Sequence, residues 1–264
     1  MLILLPPSEG KTAPRRGKPL ALDSLAFPGL TSHRAQVLGA LRSLCTTEGD
    51  AVAARVLGLG PTQLDQVRLD AGVLESPAAR ADHVYTGVLY EALEVATLSA
   101  AARRRATAWL AVTSGLFGLL RPSDRIPAYR LSGDVSLPGV GPVSTYWSRR
   151  LDPAVREAAG RGLVVDLRSS TYAAFWRPAP DLVARTVSLR VLHEAGDRRT
   201  VVSHFNKATK GRIVRALLED PGPTRGGSST PAGFADHLRS LGWKVEEARS
   251  ARTGTRFDVV VSDL

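Results

Sequence analysis

The chain has 264 residues, of which 44% are hydrophobic, and this is enough for one large domain or two small ones. Its formal charge of +10 and pI near 10.4 favour an anionic partner: nucleic acid, a nucleotide or another phosphorylated molecule. The sequence has no apolar run of about eighteen residues, and its first residues lack a basic leader and a cleavage site. We therefore expect a cytoplasmic protein with neither a membrane span nor a signal peptide.

Cysteine and lysine are both rare in this chain. The single cysteine, Cys45, cannot form an internal disulfide, and it lies in an amphipathic segment where a buried apolar side chain is expected. There are 5 lysines against 30 arginines. Three of them, Lys11, Lys207 and Lys210, fall in polar segments that stand out on other grounds. Because a compact ammonium differs chemically from a planar guanidinium, these lysines are candidates for a specific role.

The first half of the chain predicts two strands separated by helices. Residues 2–5 form a continuous apolar run that ends at Pro6, which is typical of a short buried strand. From 32 to 105 the hydrophobic spacing is helical, and it predicts a helical insertion interrupted by glycine and proline turns. The predicted helices cover 33–45, 49–57, 61–69, 87–95 and 97–105, and the second strand covers 107–112.

In the second half, residues 114–131 predict an ordered polar loop, because Pro122 and Pro127 interrupt any helix there. The strand predicted at 163–167 is followed by a hairpin, and a second hairpin ends the chain. The remaining predicted elements are helices at 145–156, 213–219 and 232–240, hairpin strands at 182–192 and 200–205, a loop at 221–231, and terminal strands at 243–248 and 256–262.

The polar segment after the first strand contains Glu9 and Lys11. Gly-Lys-Thr at 10–12 suggests a phosphate loop, but that motif needs a glycine where this chain has Leu5, which excludes a Walker-type NTPase. A desolvated Lys11 can act as a base or a nucleophile, and Glu9 can orient it. A solvated loop lysine is the alternative.

Two later segments offer candidate anion contacts. Ser170 follows the strand at 163–167 and begins a short helix, where it either binds an anion or simply caps the helix. Lys207 and Lys210 precede the helix predicted at 213–219. Cations are unusual at a helix start, so their placement there strengthens an anion site.

The run LGLGPTQLDQV at 57–67 contains Gly58 and Gly60 in a tight turn between predicted helices. Such a turn resembles a helix-hairpin-helix, whose backbone amides can face a nucleic-acid phosphate. An ordinary helix connection is the alternative.

No metal or cofactor is expected from the sequence. The histidines, at positions 33, 83, 193, 204 and 237, have no close ligand spacing, and only one cysteine is present. The chain also lacks the G-x-S-x-G turn of a serine hydrolase.

Six segments stand out in order along the chain: PPSEGKT at 6–12, YTG at 85–87, SGLFGLLRPSDRIPAYRL at 114–131, Tyr146-Trp147, VVDLRSSTY at 164–172 and SHFNKATKGR at 203–212. Together they resemble the YaaA family of peroxide-stress proteins. The resemblance implies a single α/β (α+β) domain over 1–264, with a mixed β-sheet surrounded by helices and a positively charged cleft. It also implies protection against peroxide by limiting free iron and DNA damage, with DNA binding through a helix-hairpin-helix-like element.

Matched position by position, the resemblance places seven residues in that cleft: Lys11, Arg121, Tyr129, Arg130, Tyr172, Lys207 and Lys210. One hypothesis is a stress protein that binds nucleic acid, as the net charge and the glycine turn suggest. The other is an enzyme for a small phosphorylated or nucleotide-like substrate, with Lys11 as base or nucleophile and acid-base chemistry from Glu9, Tyr129 and Tyr172. A third is an RNA-associated protein held by surface charge alone. Convergence of the cations in a closed pocket favours the enzyme, and dispersal over an open surface favours nucleic acid.

Overall fold

A mixed β-sheet organises the structure, a computed structural model that describes residues 1–196, 198–222, 230–251 and 253–262. The strands are β1 (Leu2–Leu5), β2 (Ala79–Arg80), β3 (Leu110–Ser114), β4 (Gly118–Leu120), β5 (Arg125–Ile126), β6 (Ser136–Leu137), β7 (Gly141–Pro142), β8 (Val164–Asp166), β9 (Thr186–Ala195), β10 (Arg198–Thr200), β11 (Lys244–Ala251) and β12 (Gly254–Val261). The helices are α1 (Thr31–Thr47), α2 (Asp50–Leu57), α3 (Asp65–Ala71), α4 (Ala81–Val84), α5 (Val88–Leu93), α6 (Ala100–Trp109), α7 (Val143–Ser148), α8 (Asp152–Ala159), α9 (Ser170–Ala173), α10 (Pro180–Val183), α11 (Ser203–Glu219) and α12 (Pro231–Ser240).

The main sheet has the order β11-β12-β9-β8-β1-β3-β4, with β10 added to β9. The strands from β12 to β3 pair in parallel, whereas β11 and β4 are antiparallel to their neighbours. Every residue of β1 and β3 is buried, which agrees with their continuous apolar sequences and with central parallel strands covered on both faces. The expected mixed α/β sheet surrounded by helices is confirmed. We call the edge where β1, β3 and β8 end the carboxyl edge.

Six helices, α1 to α6, lie between β1 and β3 in the chain, and α2 and α3 are joined by a short 3-10 turn over Pro61–Gln63. The helices predicted at 33–45 and 49–57 are confirmed as α1 and α2. The strand predicted at 107–112 lies three residues too early, because α6 continues through Trp109 before β3 begins. Within the described ranges, no helix is both long enough and apolar enough to cross a bilayer.

Two predicted elements of the second half have different bounds in the structure. The helix predicted at 145–156 is divided into α7 and α8, because Pro153 cannot continue a helix and instead lies in the first turn of α8. The strand predicted at 200–205 ends at Thr200, and α11 begins at Ser203. Lys207 and Lys210 therefore lie within α11 rather than before a helix. Most of the loop predicted at 221–231 falls outside the described residues.

Residues 114–131 are only partly a loop. The chain turns tightly after β3 and returns as β4, which is antiparallel to β3. Gly118 has φ +72° and faces the Trp147 ring, which a Cβ would meet at 2.7 Å, while Trp147 Nε1 donates to the Gly115 carbonyl at 2.7 Å. Glycine is required at 118 both for this backbone conformation and for this close contact.

Cys45 is buried on α1, in the core between this helix and its neighbours. Burial raises the pKa of its thiol to about 12, and nearby Asp70 and Asp50 act in the same direction. The thiol is therefore neutral and packed as a small apolar group, as the sequence predicts.

Candidate functional site

The segment that follows β1 pairs with the segment that follows α4. Lys11 forms an isolated antiparallel bridge with Tyr85, and the Thr12 amide donates to the Val84 carbonyl at 2.9 Å. The hydroxyl of Ser8 accepts the Thr86 amide at 3.1 Å. Two segments far apart in sequence, PPSEGKT and YTG, are therefore one structural unit at the carboxyl edge.

Lys11 lies among aromatic rings at this edge. Its Nζ donates to the Ser8 carbonyl at 2.9 Å and lies 4.4 Å from the centroid of the Tyr129 ring. Burial lowers the pKa of Lys11 to about 8, although the charge of Asp70 opposes this shift. A substantial fraction of the amine is consequently neutral near physiological pH.

Asp70 is the carboxylate whose charge acts on the Lys11 ammonium, and it is fully buried on α3. Its Oδ1 accepts the Arg130 amide at 2.8 Å, whereas its buried Oδ2 has no hydrogen-bond partner among the described residues. Burial raises the pKa of Asp70 to about 7, against the Arg130 hydrogen bond and the charge of Lys11. The two groups thus form a pair in which burial favours the uncharged form of each.

A chain of buried hydroxyls lies beside this pair. Ser114 Oγ accepts the Phe117 amide at 2.9 Å and is 2.7 Å from the Tyr129 hydroxyl, which is 2.8 Å from the Tyr85 hydroxyl. Burial raises the pKa of both tyrosines above the ordinary value. These hydroxyls stay protonated, so they are suited to donating or relaying protons rather than to acting as bases.

An open cleft of about 380 Å³ borders the site. At its wall, an Arg130 Nη1 forms an ion pair with the Glu9 carboxylate. The Glu9 side chain is 60% exposed and that of Arg130 is 19% exposed, so the pair lies where solvent meets the buried site. The charged residues that line the cleft are Glu9, Arg130 and Asp134, and they do not give it a positive lining.

Tyr172 is buried behind the same cleft. Its hydroxyl interacts with the Ser132 side chain and the Gly133 backbone, and its ring packs on Phe175 with centroids 5.0 Å apart. Burial raises the pKa of Tyr172, and the charge of Arg130 partly offsets this effect. Of the residues predicted for the site, the structure brings together Glu9, Lys11, Tyr129, Arg130 and Tyr172.

Lys210 lies on α11, and its side chain reaches the carboxyl edge just after β8. Its buried Nζ donates to the Leu167 carbonyl at 3.3 Å, and burial lowers its pKa against the charge of Asp166. Ser170 and Lys207 are exposed, on the first turn of α9 and on α11 respectively. Lys210 is therefore near the site, and the other two are surface groups.

Arg121 is not in the cleft where it was expected. Its Nη1 donates to the carbonyls of Ala108 and Leu110, at 2.8 and 3.0 Å, and its guanidinium lies over the Phe27 ring. Leu110 begins β3, so Arg121 lies at the opposite edge of the sheet from Lys11. The physical reason is β4, which carries the chain back across the sheet before Arg121.

Gly58 and Gly60 lie between α2 and α3, and Gly58 lines the cleft. The amides of Gly58 and Leu59 donate to the carbonyls of Arg55 and Ala54, and the Gly60 amide donates to Gln63 Oε1 at 3.1 Å. These donors are satisfied within the protein, as in an ordinary helix connection.

The sequence interpretation gave no role to Asp70, Ser114 or Tyr85. A signal for Asp70 was present, because it lies three residues after buried Val67 on the apolar face of α3, where an acid is unusual. Ser114 and Tyr85 stand inside segments already singled out, but only tertiary structure aligns their hydroxyls. Among the described residues, no cluster of three or more His, Cys, Asp or Glu side chains is placed to hold a metal ion.

Fold and site together define an α/β protein with a half-buried lysine and a buried carboxylate at the carboxyl edge of a mixed sheet. The family model described as "Peroxide stress protein YaaA" matches residues 1–224, and the chain belongs to this family. It is similar to a UPF0246 protein of Streptomyces coelicolor, with 49% identity over 100% of both chains. It is also similar to UPF0246 proteins of Corynebacterium efficiens, 39% identical over 93% of this chain and 95% of the relative, and of Corynebacterium glutamicum, 41% identical over 82% and 84%.

Proposed function

We propose that this protein is an enzyme acting on a small anionic compound at the carboxyl edge, with Lys11 as base or nucleophile. The observation that carries the proposal is the partial burial of Lys11 against the Tyr129 ring, with the fully buried Asp70 acting on its charge. Desolvation makes a lysine amine reactive near neutral pH, and with a pKa of about 8 roughly a tenth of the Lys11 amine is neutral at pH 7.

Neighbouring groups supply the rest of such a site. Arg130 provides a guanidinium for an anionic group of the substrate, because its present partner, Glu9, is largely exposed and can move away. The hydroxyls of Tyr129 and Tyr85 remain protonated and can donate to a developing negative charge. The open cleft beside Glu9 borders this arrangement at Arg130.

A thermal-shift panel of small anions, containing phosphate, carboxylates and mononucleotides, tests this proposal. We expect one class to raise the melting temperature of the wild type and not that of Lys11→Met, since a ligand stabilises the folded state that binds it. Lys18→Met, which changes an exposed lysine, should retain the shift. A panel without any Lys11-dependent shift would count against the proposal.

Nucleic-acid binding is the second candidate, and the net charge of +10 favours it. A groove of about 510 Å³ shares no lining residue with the cleft beside Glu9, and the charged groups that line it are Arg80, Asp82, His83, Arg103 and Arg104. Arg80 is already paired with Asp82, which leaves Arg103 and Arg104 as its candidate phosphate contacts. Binding to phosphates would release counterions and fall steeply with salt. Fluorescence anisotropy with duplex and single-stranded DNA between about 50 and 200 mM salt tests it, and absence of binding at the low end rejects it.

We further propose a cytoplasmic role in the peroxide-stress response, which family membership supports. A strain that lacks the gene should lose viability in hydrogen peroxide, and the wild-type gene should restore it. If Lys11→Met restores survival equally well, the proposed chemistry at Lys11 is not what protects the cell.

A further inference from the structure

The buried site beside the cleft contains one hydrogen-bond acceptor and one donor that have no partner among the described residues. Asp70 Oδ2 is a buried acceptor without a partner, and Arg130 Nε is a buried donor without one, among the described residues. The two residues are already joined, since the Arg130 amide donates to Asp70 Oδ1 at 2.8 Å. Native proteins rarely leave such groups unpaired, so the site is suited to a small polar ligand that both donates and accepts.

The ion pair at the cleft indicates what kind of charge that ligand carries. Arg130 holds a carboxylate, that of Glu9, on a side chain that is 60% exposed. Exposed ion pairs are weak, so a carboxylate from solution can replace Glu9 at Arg130 Nη1, where Glu9 makes a single contact. The Glu9 carboxylate thus occupies, on Arg130, the position that we expect a ligand carboxylate to take.

We propose that this site binds a small carboxylate that also bears a ketone or aldehyde, and that the Lys11 amine forms an imine with its carbonyl carbon. The inference rests on the proposed function, which makes Lys11 the reactive group, and it names the substrate class. The ligand carboxylate takes the place of Glu9 on Arg130, and the carbonyl faces Lys11, Asp70 and the tyrosine hydroxyls.

Asp70 is the acceptor and donor of each proton in the reaction. Because no hydrogen bond or ion pair joins Asp70 to Lys11, water from the cleft relays the proton between the two groups. The Lys11 ammonium gives a proton to the Asp70 carboxylate, the neutral amine forms the C–N bond, and the carbonyl electron pair moves to oxygen, which takes the proton back. The nitrogen then returns a proton to Asp70, which passes it to the hydroxyl, and water leaves. One ammonium and one carbonyl give one iminium and one water, and Asp70 ends ionised as it began.

Reductive trapping of the full chain tests the proposal. Pyruvate with sodium cyanoborohydride should place one adduct on Lys11, located by peptide mapping against the other lysines. Acetone, which has the same ketone without the carboxylate, should label Lys11 at least tenfold more slowly. Lys11→Met should lose the adduct, Lys18→Met should keep it, and Arg130→Met should remove the preference for pyruvate over acetone.

Mapping of the wild type alone can overturn the proposal, whatever the stability of the variants. Adducts spread over the lysines according to exposure, or equal labelling by pyruvate and acetone, would reject it. If a small anion gives a Lys11-dependent thermal shift but no carbonyl compound labels Lys11, the proposed function stands and only the imine chemistry fails. If neither occurs, both fail.

Discussion

Burial has opposite effects on the two ionisable residues beneath the cleft. It lowers the pKa of Lys11 to about 8 and raises that of Asp70 to about 7. Between these values the two groups differ little in proton affinity, so moving one proton from the ammonium to the carboxylate costs little. Each group therefore has an appreciable uncharged population near neutral pH, although no hydrogen bond or ion pair joins the two side chains.

The raised pKa of Asp70 predicts a pH-dependent stability. Folded Asp70 keeps its proton up to about pH 7, whereas the unfolded group loses it near its ordinary value of 3.8. The folded state therefore binds more protons in this window, and stability falls as pH rises through it. Asp70→Asn removes this dependence. The free energy of unfolding of the variant, relative to that of wild type, should therefore rise by on the order of 1–3 kcal/mol between pH 4 and pH 7.

Urea unfolding at several pH values measures this difference. Asp65→Asn, an exposed acid on the same helix, is the matched control and should run parallel to wild type. Parallel curves for Asp70→Asn would show that Asp70 titrates normally in the folded protein.

The position of Arg121 predicts that its replacement changes the stability of the fold and not the reactivity of Lys11. Its guanidinium donates to two backbone carbonyls at the edge of the sheet opposite Lys11. Arg121→Met should destabilise the fold by about 1–3 kcal/mol, because the carbonyls of Ala108 and Leu110 lose their charged donor. The reactivity of Lys11 toward an amine-labelling reagent should stay within twofold of wild type. A tenfold loss of Lys11 reactivity would contradict this assignment.

At the scale of elements, α11 and α5 approach closely at one glycine. A Cβ on Gly211 would lie 2.3 Å from the Leu89 carbonyl oxygen and 2.9 Å from the Ala92 Cβ. Gly211→Ala must therefore push the helices apart, and its cost of about 1–3 kcal/mol exceeds the gain in helix propensity of about 1 kcal/mol.

Gly39→Ala provides the matched comparison for Gly211→Ala. Gly39 lies in α1, another 17-residue helix, and a Cβ there would meet nothing within 4 Å. This variant should gain stability from helix propensity while Gly211→Ala loses it, as thermal unfolding would show. Equal shifts for the two variants would mean that α11 is not tightly packed at this position.

Much of the fold could be predicted from the sequence, because β1, β3 and β8 have short apolar runs and α1 and α2 end at clear turn signals. The polar segments predicted to follow the first strand and the strand at 163–167 do lie at the carboxyl edge. Arg121 was misplaced because the three residues of β4 reverse the chain, and so short a strand has little periodicity of its own. Asp70 was missed because a single acid in a helix gives no indication of which distant residues surround it.

At the scale of the whole molecule, the cleft beside Glu9 and the groove beside α6 differ in the charges that line them. The cleft beside Lys11 contains two acids and one arginine, whereas Arg103 and Arg104 are exposed on α6. The two proposed functions therefore use different surfaces. Mutations can separate them.

Reversing the charges on α6 tests whether the groove beside this helix binds DNA. If the groove beside α6 contacts phosphates, Arg103→Glu with Arg104→Glu should weaken DNA binding and lower the slope of log affinity against log salt by about 2. Reductive labelling of Lys11 should not change. An unchanged salt slope would place any DNA contact elsewhere.

The buried thiol on α1 has a consequence for a protein associated with peroxide. Hydrogen peroxide oxidises the thiolate, and Cys45 is neither ionised nor exposed in the folded state. We expect folded protein in millimolar peroxide to keep its thiol reduced, and protein in urea to form sulfenic and sulfinic acids, as mass spectrometry would show. Rapid oxidation of folded protein would contradict this. Cys45 oxidation would thus record past unfolding, so its oxidation state in cells would mark the molecules that had opened during an oxidative burst.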